Sequence, residues 1–388
     1  MRTVTIGLLW HSANSGNLGV GALTIGNIAL IRQAAAAAEV EPLFLILGFV
    51  DPGREAYVSG PDIELVRLNT KAMLPGAALG QAVRRCDLVI DIGGGDSFTD
   101  IYGLKRFAFL FWSKALVIAR RKPLVLAPQT IGPFTRPLQK LLAGWAMARA
   151  RAVFCRDPIS FQFAQLLSPG ARRIQSVDVA FALPFEVPVA SADRPRIGIN
   201  VSGLLYNRGY DRANSFGMEI DYPQYIDRLL GALSRRSDLD VFIVPHVLSD
   251  AVPVDDDRAV ADQLVASHPW LRRAPDFVDP SAAKSFIAGL DFLTGARMHA
   301  CIAAYSAGVP VLPVAYSRKF SGLFQGVLNY PHLIPATGVT TDAAIAQTLD
   351  AIDRRDELGS SLHVGRILAE GILQGYVEEL RLLLVGGH

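Results

Sequence analysis

Arg297, His299 and Lys319 lie within GARMHACIAAYSAGVPVLPVAYSRKFSG, residues 295–322, a stretch otherwise rich in alanine, valine and proline. Charged or protonatable groups in such a neighbourhood are costly unless they face a ligand. Arg297 and His299 flank a strand-to-helix junction, and a helix N-terminus already favours an anion. Lys319 follows one strand later, again past a strand's end. Arginine clamps carboxylate or phosphate through two parallel hydrogen bonds, lysine offers a compact charge, and imidazole exchanges a proton near neutral pH. These types at this spacing point to a small anionic substrate that is held and protonated.

Other strand ends carry further candidates. HSANSGNLGVGAL follows the first strand, and its small residues, with Asn17 among them, suit a sharp turn opening a helix. It has neither the order of a dinucleotide fingerprint nor that of a Walker loop. DIGGGDSFTD, residues 91–100, ends another apolar strand; Gly94 and Gly95 permit close approach of a ligand to the backbone. Asp96 and Asp100 put carboxylates on the same rim, for a helix cap or for a general base that takes a hydroxyl proton. Gln129 stands at the end of the strand in APQTIGPF, and Arg156 at the end of the next one, in CRDPIS. Arg156 suits either a ligand or a structural ion pair. The carboxylate spacing marks no metal site, and the odd set Cys86, Cys155 and Cys301 lies in apolar runs, as reduced core thiols do.

The elements that must position these residues read as α/β. Short, nearly all-apolar strands alternate with helical patterns, which indicates parallel sheets covered on both faces. The pattern runs over residues 1–186, breaks in the Pro-rich LPFEVPVASADRPR at 183–196, and restarts over 195–364; residues 365–388 read as a terminal helix. Two doubly wound, Rossmann-like domains facing across a cleft are therefore expected, with ligands at the carboxyl ends of the strands. Residues 1–190 carry 20 Lys+Arg against 13 Asp+Glu, and residues 191–388 carry 18 against 23, so a net +7 faces a net −5. That asymmetry suits an anionic ligand or surface near the first half and is too weak for nucleic acid. The apolar run from Phe107 is broken by Lys114 and falls short of the ~20 clean residues of a membrane span. It reads as a buried amphipathic helix, with a basic face resting on the inner membrane leaflet as the second reading. The N-terminal stretch lacks signal-peptide character, so a cytoplasmic location is expected, with peripheral contact to the inner face of the membrane under the second reading.

Taken in order, SGNLGVGAL, DIGGGDSFTD, PQTIGPF, CRDPIS, SVDVAFALP and the 295–322 stretch resemble the polysaccharide pyruvyl transferase family, over residues 12 to 322. The resemblance implies a glycosyltransferase-B type fold and transfer of the enolpyruvyl unit of phosphoenolpyruvate onto a sugar. The product would be a pyruvate ketal on a cell-surface polysaccharide or its precursor. It also implies that Arg156, His299 and Lys319 match positions that bind phosphoenolpyruvate, with Arg297 in the same motif. The second domain becomes the donor side and the first the acceptor side. On this reading His299 is the general acid and Asp100, or Asp96, the base. Asn17, Gly94, Gly95, Asp96 and Gln129 contact substrate, and no metal or cofactor beyond the donor is required. The partners are phosphoenolpyruvate and a sugar acceptor, lipid-linked or not. Val20 stands where the family's first motif usually has aspartate, and Asp96 where a small residue is commoner. A nucleotide-sugar-dependent glycosyltransferase of the same fold is the alternative, and a scaffold in polysaccharide assembly is a third reading.

Overall fold

The computed structural model describes residues 1–74, 76–188, 193–209, 217–250 and 252–386. The expected linker at 183–196 falls partly on 189–192, outside the described residues. The chain forms two compact units, the first made of Met1–Ser15, Leu23–Leu183 and Ala369–His388, the second of Gly16–Ala22 and Pro184–Leu368.

In the first unit the strands are β1 (Arg2–Leu9), β2 (Val40–Gly48), β3 (Ile63–Arg67), β4 (Leu88–Asp91), β5 (Leu124–Gln129), β6 (Ala152–Cys155) and β7 (Arg173–Gln175). Among the described residues they form one seven-stranded sheet, in the order β3-β2-β1-β4-β5-β6-β7, and every pairing is parallel. β4, β5 and β6 are buried at every position, as a strand covered on both faces must be. Helices α1 (Leu18–Ala37, of which the residues up to Ala22 count with the second unit), α2 (Ala78–Arg85), α3 (Leu104–Ala119), α4 (Pro137–Arg149) and α5 (Pro158–Leu167) connect them. α1 is long and apolar enough to cross a membrane, but most of it is buried inside the protein. Asp157 caps α5 by accepting from the Ser160 amide, with Pro158 in the first turn; such a cap contributes about 1 kcal/mol.

The second unit has β8 (Arg196–Asn200), β9 (Asp240–Ile243), β10 (Arg272–Arg273), β11 (Phe292–Gly295), β12 (Val311–Ala315) and β13 (Ile334–Pro335), in the order β10-β9-β8-β11-β12-β13. Its helices are α6 (Gly203–Tyr206), α7 (Tyr222–Leu233), α8 (Asp257–Ser267), α9 (Pro280–Ala288), α10 (Met298–Ala307), α11 (Arg318–Phe320), α12 (Thr341–Asp353) and α13 (Arg355–Val385). α7 turns Tyr225, Ile226, Leu229, Leu230 and Leu233 inward, and each fully buried leucine contributes about 1.5–3 kcal/mol. Asp279 and Pro280 start α9 as Asp157 and Pro158 start α5.

α13 begins at Arg355, well before the Gly365 at which a terminal helix was expected. Gly365 does not interrupt it. A Cβ there would come within 2.7 Å of the Leu328 carbonyl oxygen and collide with the Tyr305 hydroxyl. The glycine serves close packing inside the helix. From Ala369 onward the helix counts with the first unit, where Tyr376 stacks edge-on against Phe154 at 4.7 Å and donates to Asn27 Oδ1 at 3.0 Å.

Candidate active-site residues

In each unit the strand order reverses direction once. β2 and β3 lie on one side of β1 and β4 on the other; β9 and β10 lie on one side of β8 and β11 on the other. Ligands of open α/β sheets bind outside the carboxyl ends of the strands at this switch point. HSANSG follows β1 and IGGGDS follows β4, while RMHA follows β11.

In the second unit, Arg297 is the N-cap residue of α10 and His299 lies in its first turn, half-buried. The Arg297 amide donates to Asn200 Oδ1 at 2.8 Å, which ties the turn to the end of β8. Its guanidinium donates to Asp257 Oδ1 and Asp255 Oδ1, each at 2.7 Å, and to the Asp255 carbonyl at 2.8 Å. Burial alone would lower the Arg297 pKa; the two carboxylates overcome it and raise it. Arg297 was expected as a substrate clamp, but its charge is met by these aspartates. Asp257 is itself buried and accepts from the amides of Gly203, His246 and Val247. Arg297 thus braces the turn that carries His299.

The first motif packs against that turn. Asn17 Oδ1 caps α1 by accepting from the Gly19 amide at 3.0 Å. The Leu18 amide donates to the His246 carbonyl, and the Leu248 amide to the Gly16 carbonyl. A Cβ at position 19 would lie 2.7 Å from His299 Cγ and closer still to Nδ1. Only glycine admits the ring here. Val20 is helical, its amide donating to the Asn17 carbonyl. Lys319 lies in α11, just beyond β12, and β12 pairs directly with β11. The two protonatable side chains therefore follow neighbouring strands.

His246 was missed by the sequence reading, although it too follows the carboxyl end of a strand. It is buried, and among the described residues neither ring nitrogen has a hydrogen-bond partner. Burial, with lesser contributions from nearby His299 and Arg297, lowers its pKa to about 3, so its ring is neutral.

In the first unit, Gly93, Gly94 and Gly95 all take positive φ, 54°, 60° and 88°, which L side chains rarely adopt. Gly93 sits over Gln129, and a Cβ on Gly95 would come 2.6 Å from Leu23 Cδ1. Gln129, expected to contact substrate, is fully buried and donates to the Asp91 carbonyl at 2.8 Å, bracing the glycine turn from below. Arg156 is also buried; it donates to Thr130 Oγ1 at 2.9 Å and pairs with Asp178 at 2.5 Å. Asp178, in the SVDVAFALP piece, is a partner that the sequence reading did not identify.

The acidic candidates separate. Asp100, expected as the base, accepts from the Thr135 amide and hydroxyl and from the Arg136 amide, at 2.8, 3.0 and 3.1 Å. Burial raises its pKa, but these bonds outweigh it and lower it, so Asp100 pins the start of α4 and is a poor proton acceptor. Asp96 is half-buried and accepts from the Tyr102 hydroxyl at 2.9 Å. Beneath the turn, Asp91 and Lys114 form a fully buried ion pair at 2.5 Å, with Lys114 over the Phe98 ring and the Gly93 amide donating to Asp91 Oδ1. Lys114, read from sequence as a charge interrupting an apolar run, neutralises this carboxylate. The three cysteines are buried free thiols; burial pushes Cys86 and Cys155 up to about 12 and Cys301 higher still. None is poised as a nucleophile. Among the described residues no cluster of three or more His, Cys, Asp or Glu is arranged to hold a metal ion.

The sequence profile of a family described as polysaccharide pyruvyl transferase matches residues 26–318. The amylovoran biosynthesis protein AmsJ of Erwinia amylovora is 21% identical over 295 residues, 71% of this chain and 68% of that protein. Among solved structures, the S. aureus MnaA–UDP complex superposes with a TM-score of 0.60 at 14% identity, covering 98% of each chain. The sucrose-phosphate synthase of Thermosynechococcus elongatus gives 0.57 at 12% identity, covering 98% of this chain and 97% of that one. These likenesses show a fold of the glycosyltransferase-B type.

Proposed function

The chain belongs to the polysaccharide pyruvyl transferase family, and from that premise we propose that it transfers the three-carbon unit of phosphoenolpyruvate, as a pyruvate ketal, onto a sugar of a cell-surface polysaccharide or its precursor. The observation that carries this reading is the seat of His299: Gly19 of the first motif packs under the imidazole, while Arg297, held by Asp255 and Asp257, fixes the turn that bears it. Two pieces of the family pattern that lie far apart in sequence thus meet at one protonatable ring.

In the proposed reaction His299 delivers a proton to the methylene carbon of phosphoenolpyruvate, which becomes a methyl group and leaves C2 electron-poor. A sugar hydroxyl adds to C2 and gives up its proton. The bond from C2 to the phosphate oxygen then breaks, and phosphate leaves with the electron pair. A second hydroxyl of the same sugar adds to C2, loses its proton and closes the ketal. Lys319 supplies the compact charge for the donor's anionic groups. Asp96, half-buried on the rim of the glycine turn, is the candidate acceptor of a hydroxyl proton. Arg156, Gln129 and Asp100 act as braces. A positioned acid contributes about 10²–10⁴-fold. His299→Ala is therefore expected to cut acceptor-dependent phosphate release from phosphoenolpyruvate by about that factor at unchanged thermal stability. A folded variant with full turnover removes His299 from the mechanism.

A further inference from the structure

From Ile101 to Arg156 the sequence has eleven Lys and Arg and no Asp or Glu. Lys114 and Arg156 are buried in ion pairs, while Lys105, Arg106, Arg136, Lys140 and Arg149 are exposed. This run contains α3 and α4, which pack together through Phe111 against Trp145, with ring centroids 5.8 Å apart, while Phe107 of α3 meets Phe134 in the loop before α4.

The outer faces of these two helices are also apolar. Leu104 and Trp112, two turns apart on α3, are 46% and 44% exposed. On α4, Leu138 and Leu141, one turn apart, are 59% and 69% exposed, while Ala143, Ala146 and Met147 of the same helix are buried. Isolated exposed leucines are ordinary, but four large apolar side chains on two packed helices, set among cations without an acid, form a patch. Trp112 is oriented by its indole N–H, which donates to the Met73 carbonyl at 2.8 Å. Both helices start at the carboxyl edge of the sheet. Asp100 fixes the start of α4, and Arg106 of α3 hydrogen-bonds Ser97 in the glycine turn.

We propose that this face of α3 and α4 rests on an anionic phospholipid surface, with the leucines and Trp112 entering the headgroup region and the lysines and arginines meeting lipid phosphates. Charge selects this occupant. A two-fold dimer through the same face would set cation against cation, whereas an anionic bilayer complements both parts of the patch. Lipid contact here would bring the glycine turn to the membrane surface, within reach of a lipid-linked acceptor.

The test is co-sedimentation of the purified protein with vesicles of phosphatidylcholine alone and of phosphatidylcholine mixed with phosphatidylglycerol. Binding is expected only to the mixed vesicles, and to weaken with salt. Each neutralised cation, as in Lys140→Gln, should lower the partition coefficient about fivefold. Leu138→Glu with Leu141→Glu should abolish sedimentation, while Val364→Glu with Ile367→Glu, an exposed apolar pair on α13 of the second unit, should leave it unchanged. Far-UV circular dichroism and the melting temperature check that each variant is folded. Equal recovery with both vesicle types, or no recovery with either, overturns the proposal. So does concentration-dependent self-association that the Leu138/Leu141 variant removes, because a second copy would then cover the face.

Discussion

His299 rests on a glycine, and a single methyl group tests why. At position 19 a Cβ would overlap the imidazole, so Gly19→Ala must displace the ring or the first turn of α1. A misplacement of about 1 Å at a reacting group costs about 10²-fold. Gly19→Ala is accordingly expected to lose turnover by about that factor in a phosphate-release assay while the melting temperature barely moves. Unchanged turnover would mean that the packing of Gly19 under His299 has no catalytic consequence. The candidates His299 and Lys319 were legible because a charge at a strand's end in an apolar neighbourhood stands out. The work of Arg297, Arg156 and Asp100 was not, because their partners lie far away in sequence or, for Asp100, include backbone amides: Asp257, Asp178 and the Thr135–Arg136 turn. A residue type announces what a side chain can bind, while its partner decides whether it is available.

At the scale of elements, the mostly apolar strands and the helices between them could be read directly: β1, β2, β4, β5, β6, β8, β9, β11 and β12 are such strands. The edge strands β3, β7 and β10 could not, since IELVR, RIQ and RR are short and charged and owe their extension to a neighbouring strand. The Lys114–Asp91 pair joins a helix to the strand that ends in the glycine turn, and it has no sequence signature. Removing one member leaves the other charge buried, which typically costs about 3–5 kcal/mol. Lys114→Met is expected to lose about that much in urea unfolding, although the replacement is apolar and close in size. A loss below about 1 kcal/mol would show that the pair does not hold the turn.

For the whole molecule, two buried imidazoles set an acid limit. His11 in the first unit and His246 in the second are both depressed from 6.5 to about 3, chiefly by burial. Below 6.5 the unfolded chain binds protons that the native state refuses, so their contribution is complete above that value and is lost as pH falls toward 3. The slope for each is about 1.4 kcal/mol per pH unit. Urea midpoints should therefore fall between about pH 6 and about pH 4, and His246→Phe should flatten the fall. A stability that stays level over that range would contradict the neutral, buried state of these rings. The central claim, that His299 and Lys319 serve phosphoenolpyruvate, is tested most directly by thermal unfolding with and without that ligand. At about 100 times its Kd a bound ligand adds about 2.7 kcal/mol. The expected result is a clear rise in melting temperature with phosphoenolpyruvate that disappears in His299→Ala and in Lys319→Ala. A rise with nucleoside diphosphates and none with phosphoenolpyruvate would contradict the account and turn the chain into a sugar-nucleotide enzyme on the same fold.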